Sequence, residues 1–262
     1  MQENRFLTMF YENYDEDGRL FKKYGRVEFE TTMAYIKKYY KPGMRILEIG
    51  AGTGRYSRFL AGMGARVDAV ELVERNIEVF REKLLPTDNI RIFQGNAVDL
   101  SIFPDGTYDL ALLLGPMYHL YETEDQIRAL KEAFRVTRKG GIVFIAYCMA
   151  DPSILQHGFI KGNTRFLIEN GLLNPETFET HSRPEDIFEL YRKEDIELLN
   201  GHIQASRLHF VSADGLTNYF RDTIENMDDE TYELYLKYHL SICEREDMTG
   251  WSNHTLDILR KE

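Results

Sequence analysis

Glycines at alternate positions follow a buried-strand pattern and could bring the backbone close to a ligand. The apolar run 46–49, interrupted by Glu48, leads into Gly50, Gly52 and Gly54. Glycine lets a chain turn sharply and leaves no Cβ between the backbone and a bound molecule. A helical pattern follows, and the free N–H groups at the start of a helix attract polar ligand atoms. The segment therefore predicts a nucleotide-cofactor loop.

The spacing of this loop separates two cofactor classes. A dinucleotide fingerprint, G-x-G-x-x-G, would place its third glycine at position 55, which is Arg55. The Glu48 carboxylate would repel a pyrophosphate but suits a ligand that carries an ammonium group, as S-adenosylmethionine does. A second strand pattern, 65–71, ends in Glu71, an acid suited to the two hydroxyls of a ribose. The pattern favours S-adenosylmethionine over NAD.

With these motifs, residues 44–150 resemble a class I S-adenosylmethionine-dependent methyltransferase of the bacterial small-molecule type. The resemblance implies an α/β fold, in which a doubly wound, seven-stranded, mostly parallel sheet carries a helical insertion and helical C-terminal additions. The chain is accordingly divided into an N-terminal helical lid segment (1–43), a cofactor-binding core (44–150), an insertion that covers the substrate (151–186), closing strands (187–213) and a C-terminal helical subdomain (214–262).

Alternating strand-like and helix-like patterns support that division. Further strands are predicted at 89–94, 108–114 and 141–147, and helices at 73–85 and 124–136. Beyond the insertion, the strand-like segments 187–191 and 205–211 are predicted to form the closing antiparallel pair, with a helix at 193–200 between them. From residue 214 onward the pattern is helical.

The resemblance also implies which residues contact the cofactor. Asn96 stands where an acid commonly holds the adenine, and its side-chain carbonyl could accept from the adenine amino group. Alternatively, Asn96 merely turns the chain. Tyrosines of the N-terminal segment could close over the methionine end, and Arg19 or Arg26 could meet its carboxylate or an anionic substrate. The cofactor-binding prediction comprises Tyr11, Tyr14, Arg19, Glu48, Gly50, Ala51, Gly52, Thr53, Gly54, Glu71, Leu72, Asn96, Ala97, Leu114 and Gly115.

The segment after the fourth strand, 114–120, is predicted to lie near the transferred methyl group because ligands bind beyond the carboxyl ends of parallel strands. His119 is the candidate general base, with Tyr118 beside it, since an imidazole can accept a proton at neutral pH. Alternatively, His119 caps the loop or packs against the pocket. Tyr147 and His157 are weaker predictions of substrate contact. Methyl transfer needs mainly alignment and exclusion of water, so no catalytic residue is compulsory.

Composition narrows the substrate and the partners. The formal net charge of −11 disfavours nucleic acid, which is bound by clustered lysine and arginine. Two cysteines without CxxC spacing suggest neither a disulfide framework nor a metal site, and a reducing cytoplasm fits best. No apolar run approaches the length that spans a bilayer. The prediction is methyl transfer to an oxygen or nitrogen of a small molecule. The alternatives are a protein or RNA substrate, a nicotinamide-dependent oxidoreductase and a non-catalytic cofactor-binding module.

Overall fold

A single mixed sheet forms the centre of the protein in the computed structural model, which describes residues 3–13, 18 and 21–262. Its strands lie in the order β3-β2-β1-β4-β5-β7-β6. They are β1 (Arg45–Ile49), β2 (Arg66–Glu71), β3 (Ile90–Gln94), β4 (Tyr108–Leu113), β5 (Thr137–Cys148), β6 (Ala205–Ser212) and β7 (His254–Lys261). The strands β1 to β5 pair in parallel, whereas β7 runs antiparallel to both β5 and β6. This order confirms the predicted seven-stranded, mostly parallel sheet.

Helices cover both faces of the sheet. Within the described residues they are α1 (Glu3–Asn13), α2 (Lys23–Tyr39), α3 (Arg55–Gly62), α4 (Glu74–Glu82), α5 (Thr123–Val136), α6 (Ala150–Ser153), α7 (Thr164–Glu169), α8 (Lys193–Asn200), α9 (Arg221–Glu225), α10 (Asp229–Ile242) and α11 (Glu246–Thr249). A π-helical turn, Ile154–Ile160, extends α6. None of these helices is both long and apolar enough to cross a bilayer.

The two-residue period of the strands divides the core into two layers. On β1, Ile46 packs with Met33 and Ile36 of α2 on one face of the sheet. Its neighbour Leu47 faces the opposite layer, which contains Leu130 of α5. Successive strand side chains point to opposite faces, so a run that is apolar at nearly every position must be covered on both sides. The loops at the carboxyl ends of the strands remain available for a site.

The closing part of the sheet differs from the sequence prediction. Residues 187–191 were predicted to be a strand, but they form only an isolated bridge, Met149↔Tyr191, and the seventh strand is β7. The prediction that the chain is helical throughout from residue 214 is therefore wrong for 254–261. Packing in the core, and not pairing in the sheet, explains the apolar character of 187–191. Tyr191 lies in the core, and its hydroxyl donates to the Met117 carbonyl at 2.6 Å.

A buried ion pair connects the last two strands. Asp257 of β7 is fully buried, and its two oxygens accept bonds of 2.7 and 2.8 Å from Arg207 of β6. Asn200, at the end of α8, donates a third bond of 2.7 Å to the same carboxylate. Without Asp257, Arg207 would keep only its pair with Glu197, and the Asn200 amide would lose its acceptor, so the loss costs more than that of an exposed pair.

We expect Asp257→Ala to lower the free energy of unfolding by about 3 kcal/mol, because Arg207 and Asn200 lose their shared acceptor. Urea unfolding followed by circular dichroism measures this change. The control is Asp247→Ala, which removes an exposed pair with Arg245 and should leave stability nearly unchanged. Equal effects of the two variants would contradict the structural role of Asp257.

Candidate functional site

A cavity opens at the edge of the sheet where β1, β2, β3 and β4 end. Its floor is formed by the glycine loop after β1 and by the loops after the other three strands. The described residues that line it are Leu7, Tyr11, Glu28, Glu48, Gly50, Ala51, Gly52, Thr53, Arg55, Tyr56, Val70, Glu71, Leu72, Val73, Asn76, Gly95, Asn96, Ala97, Val98, Leu114, Gly115, Pro116, Tyr118, His119, Leu120, Tyr121 and Asp125. We call this the first cavity.

The three glycines of the loop have different roles. Gly52 has a φ of 54°, and a Cβ added there would meet no atom within 4 Å. A Cβ at Gly54, in contrast, would lie 2.1 Å from the ring of Phe80, and one at Gly50 would lie 2.6 Å from Pro116. Gly54 does not line the first cavity, although it was predicted to contact the cofactor. Gly50 and Gly54 are therefore required by internal packing, and Gly52 is the position whose missing Cβ leaves room for a ligand.

Glu71 joins the glycine loop to the end of β2. Its Oε2 accepts from the Gly52 N–H at 2.8 Å, and its Oε1 accepts from the Val73 N–H at 2.9 Å and from Asn76 at 3.2 Å. Burial raises the pKa of this carboxyl, against the lowering effect of these hydrogen bonds. Each carboxylate oxygen has two lone pairs, so the group can hold the loop and still accept from a ligand hydroxyl.

Glu48 lies at the other side of the loop, 1% exposed, and accepts a hydrogen bond from Ser57 of α3. Burial raises the pKa of Glu48 to about 8; the Ser57 bond opposes this shift and repulsion from Glu71 adds to it. The carboxyl is therefore mostly protonated at neutral pH in the structure described. A ligand cation beside it would favour the ionised form, because an opposite charge offsets the cost of burying the carboxylate.

His119 is held between a backbone carbonyl and a tyrosine. Its Nδ1 lies 2.8 Å from the Ile187 carbonyl oxygen, and its Nε2 lies 2.9 Å from the Tyr11 hydroxyl. Burial lowers the pKa of His119 to about 4, so the ring is neutral, with Nδ1–H donating to Ile187 and Nε2 accepting from Tyr11. A histidine with this pKa is a weak base, and its one acceptor atom is already used by Tyr11.

The backbone at Ile187 is strained to make this contact. Ile187 has a φ of 71°, a left-handed conformation that a β-branched residue rarely adopts. Its carbonyl also accepts from the Tyr121 hydroxyl at 2.8 Å. Such conformations cost about 1–3 kcal/mol and persist where surrounding contacts require them. The segment around Ile187 thus fixes the orientation of the His119 ring.

Tyr118 and Asn96, two other predicted residues, make hydrogen bonds to nearby residues of their own loops. The Tyr118 hydroxyl donates to the Leu114 carbonyl at 2.8 Å, so its ring lines the cavity while its hydroxyl braces the loop. Asn96 lines the cavity too, and its side-chain oxygen accepts from the Val98 N–H at 3.2 Å. That bond is the chain-turning role that the sequence left open as an alternative to adenine contact.

Some predicted residues do not reach a cavity. Tyr147 is fully buried and packs against Tyr191, because on β5 it faces the core layer, and it is the next residue, Cys148, that faces a cavity. His157 is exposed on the π-helical turn and accepts a bond from Asn163 at its backbone carbonyl. Neither residue lines the first cavity, and both predictions of substrate contact stay predictions. Tyr14 and Arg19 lie outside the described residues.

A second cavity adjoins the first and shares Tyr11 and Tyr118 with it. Its described lining consists of Phe10, Tyr11, Tyr118, Cys148, Ser153, Phe188, Leu190, Arg221, Asn253 and His254. The sequence did not single out His254 because the first residue of a terminal strand carries no motif. It reaches the site by pairing with Cys148 across β5 and β7.

Comparison with known proteins agrees with this geometry. The model of the family described as "Methyltransferase domain" matches residues 47–145. Residues 47–145 of this chain therefore form a methyltransferase domain of the class I S-adenosylmethionine-dependent type. The methyl donor of this family is S-adenosylmethionine, as the sequence motifs predicted.

Curated relatives match part of this chain. A demethylmenaquinone methyltransferase of Clavibacter sepedonicus is 33% identical over 110 residues, which cover 42% of this chain and 43% of that protein. An S-adenosyl-L-methionine-dependent Diels–Alderase of Talaromyces variabilis is 33% identical over 151 residues, or 56% of this chain and 50% of that one. The chain thus spans about half the length of the relatives it matches.

Solved structures share the fold over nearly the whole chain. An S-adenosylmethionine-dependent methyltransferase of Methanosarcina mazei superposes with a TM-score of 0.56 at 18% identity, covering 87% of this chain and 96% of that one. A Haloferax volcanii chain solved with a methyltransferase activator reaches a TM-score of 0.61 at 14% identity, covering 97% and 96%. At these identities the likeness concerns the fold.

We expect Gly52→Ala to weaken S-adenosylhomocysteine binding by about tenfold or more, because the new Cβ occupies the space beside the loop. Isothermal titration calorimetry measures the change. The matched control is Gly43→Ala, which has a φ of 85° and open space but lies outside the first cavity. It should show the same backbone strain with unchanged affinity, and an equal loss of affinity in both variants would contradict the role given to Gly52.

Glu48 predicts a pH dependence of cofactor binding. If the cofactor ammonium pairs with the ionised Glu48, binding at pH 7 releases a proton, because the pKa of about 8 falls when the cation arrives. Affinity then rises from pH 6 towards pH 8. Calorimetry in two buffers with different ionisation enthalpies counts the released protons. Glu48→Gln keeps an acceptor for Ser57 and should abolish the proton release, whereas release that persists in this variant would assign it to another group.

Proposed function

We propose that this protein transfers a methyl group from S-adenosylmethionine to an oxygen or nitrogen of a small molecule, releasing S-adenosylhomocysteine. The observation that carries the proposal is the pair of adjoining cavities. The first contains the glycine loop with Glu48 and Glu71, and the second begins at Tyr11 and Tyr118 and extends to the ends of β5 and β7. A donor and an acceptor can therefore meet at the two tyrosines.

The residues of the first cavity fit the cofactor. Gly52 supplies a cradle that a Cβ would fill, Glu71 has lone pairs for the ribose hydroxyls, and the buried Glu48 suits the ammonium of the methionine end. When bound, the cofactor supplies an activated methyl group on a sulfonium. The chain then has to align the acceptor and exclude water, which α1 favours by placing Leu7 and Tyr11 over the cavity.

We assign His119 the role of holding α1 over the first cavity through Tyr11. Its neutral ring accepts from Tyr11 and is packed between aromatic rings, with the Tyr118 centroid at 4.9 Å and the Phe188 centroid at 5.5 Å. A group with a pKa of about 4 gives little help in removing a proton from a hydroxyl at neutral pH. Positioning of Tyr11 therefore accounts for His119 better than general-base catalysis does.

Small-molecule substrates are supported by two observations. The curated relatives include demethylmenaquinone methyltransferases, which are named for a small molecule, and the net charge of −11 disfavours RNA.

A second candidate is a cyclisation in which the cofactor is bound but not consumed, because one relative is a Diels–Alderase described as S-adenosyl-L-methionine-dependent. Release of S-adenosylhomocysteine distinguishes the two activities.

The proposal is tested in two steps. Calorimetric titration with S-adenosylmethionine, S-adenosylhomocysteine and NAD should give saturable binding of the first two compounds alone. The enzyme is then incubated with S-adenosylmethionine and a panel of phenols, carboxylic acids and amines, and S-adenosylhomocysteine is measured by mass spectrometry. Acceptor-dependent release supports methyl transfer. Binding of NAD alone would overturn the cofactor assignment, and a converted acceptor without S-adenosylhomocysteine would favour the cyclase.

A double-mutant cycle tests the assignment of His119. Tyr11→Phe and His119→Phe each remove the hydrogen bond and keep a ring in place, so each should weaken S-adenosylhomocysteine binding about fivefold. The double variant should be no weaker than the weaker single variant, which corresponds to a coupling of about 1 kcal/mol. If His119 were the general base, His119→Phe would abolish turnover while Tyr11→Phe retained it.

A further inference from the structure

The second cavity has a charge that contrasts with the rest of the protein. Two of its described lining residues, Arg221 and His254, carry or can carry a positive charge, and none of its described lining residues is acidic. The whole chain has a net charge of −11. Near the first cavity the walls are aromatic and apolar, with Phe10, Phe188 and Leu190. The cavity thus combines an apolar wall with two cationic groups, and the His254 ring lies 6.4 Å from the ring of Tyr118, which both cavities share.

His254 is kept protonated by two carboxylates. Its Nδ1 lies 2.6 Å from Oδ2 of Asp214 and 3.7 Å from Oε2 of Glu28. Against the opposing effect of burial, the charges of Glu28 and Asp214 and the hydrogen bond to Asp214 raise the pKa of His254 well above its ordinary value. The same pairing lowers the pKa of Asp214. The ring is therefore an imidazolium at neutral pH.

Asp214 is fixed in place by further hydrogen bonds. Its Oδ1 accepts from the Ser252 hydroxyl at 2.7 Å and from the His254 backbone N–H at 3.1 Å, and its Oδ2 also accepts from Asn218. These contacts orient the imidazolium so that Nδ1–H points to Asp214. Among the described residues no hydrogen bond reaches Nε2, and the ring lines the second cavity. A charged donor is thus available to a molecule in the cavity.

A second cation lines the same cavity. Arg221 is exposed, its Nε donates to Asn218 at 2.7 Å, and its guanidinium lies over the Tyr24 ring at 5.1 Å from the centroid. The Asn218 side chain therefore links Arg221 to Asp214 and so to His254. Guanidinium and imidazolium donors that converge on one cavity are suited to the two oxygens of a carboxylate.

We propose that the acceptor is an aromatic carboxylic acid whose carboxylate binds to His254 and Arg221 in the second cavity. Its ring lies among Phe10, Phe188 and Leu190, and its nucleophilic atom points to the first cavity between Tyr11 and Tyr118. His254 and Arg221 bind and orient the acceptor and take no part in proton transfer. This inference rests on the proposed function and specifies its substrate class.

Binding to the S-adenosylhomocysteine-saturated protein tests the proposal without turnover. The probes are 4-hydroxybenzoate and 3-(4-hydroxyphenyl)propionate, each compared with its neutral amide by calorimetry. We expect at least one acid to bind about tenfold more tightly than its amide, which is the value of a charge-assisted hydrogen bond. Amides that bind as well as the acids, or acids that do not bind at millimolar concentration, would overturn the proposal.

Two variants test whether each cation binds the carboxylate, independently of any effect on folding. His254→Gln keeps a donor but removes the charge, and it should remove the preference for the acid. Arg221→Gln changes an exposed side chain, so it tests the carboxylate site even if His254→Gln unfolds. His157→Gln, on the surface of the insertion, is the control and should leave the preference unchanged.

The pH profile checks whether His254 stays charged when the acid binds. Because Glu28 and Asp214 keep His254 charged, affinity for the acid should stay constant from pH 6 to pH 8. An ordinary histidine would lose its charge over that range, and affinity would fall as pH rises. A falling affinity would therefore contradict the arrangement.

The experiments also distinguish two further outcomes, a metal site at His254 and a failure of the proposed function itself. Glu28, Asp214 and His254 also lie close enough together to hold a cation, so the protein is titrated with Zn²⁺ alone. Tight binding that is lost in His254→Gln would make the cluster a metal site and overturn the proposal. If S-adenosylhomocysteine itself does not bind, the proposed function fails; if it binds but acids show no preference, only this inference fails.

Discussion

The direction of the strands governs where the loops that form the candidate site lie. Strands β1 to β5 are parallel, so the loops that follow β1, β2, β3 and β4 open on one edge of the sheet and together form the first cavity. β7 runs the other way, and its first residue, His254, reaches that same edge beside Cys148. Each loop supplies only some of the residues of the site, and the pairing of the strands fixes the positions of the loops relative to one another.

Hydrogen bonds between loops then convert this edge into a site of fixed shape. Glu71 joins two loops through Gly52 and Val73, and the strained Ile187 carbonyl sets the His119 ring that meets Tyr11. Burial has opposite effects on the groups involved: it raises the pKa of Glu48 and lowers that of His119, so both are neutral at pH 7. The first cavity therefore presents polar groups whose charge a bound ligand can change.

Much of the fold was predictable because its signals are local. The apolar runs of β1, β2, β3, β4 and β5 and the periodicity of the helices between them require only neighbouring residues. The closing strands were not. A mostly apolar segment such as 187–191 predicts a strand in two different cases. Its side chains can belong to a sheet, or they can pack in the core beside the sheet, as Tyr191 does. Strand pairing is decided by residues far apart, and β7 is separated from its partner β5 by more than a hundred residues.

The sequence by itself predicted the family and its cofactor and pointed to the glycine loop, Glu48 and Glu71, because a glycine pattern and the residues flanking it reflect the backbone conformation they must adopt. Only the tertiary structure decided which glycine faces a ligand, since Gly50 and Gly54 are explained by Pro116 and Phe80, contacts that no spacing reveals. It also decided the charge of His254, which depends on Glu28 and Asp214 approaching from distant elements. Electrostatic interactions depend on distance in space, and that distance is set by the fold.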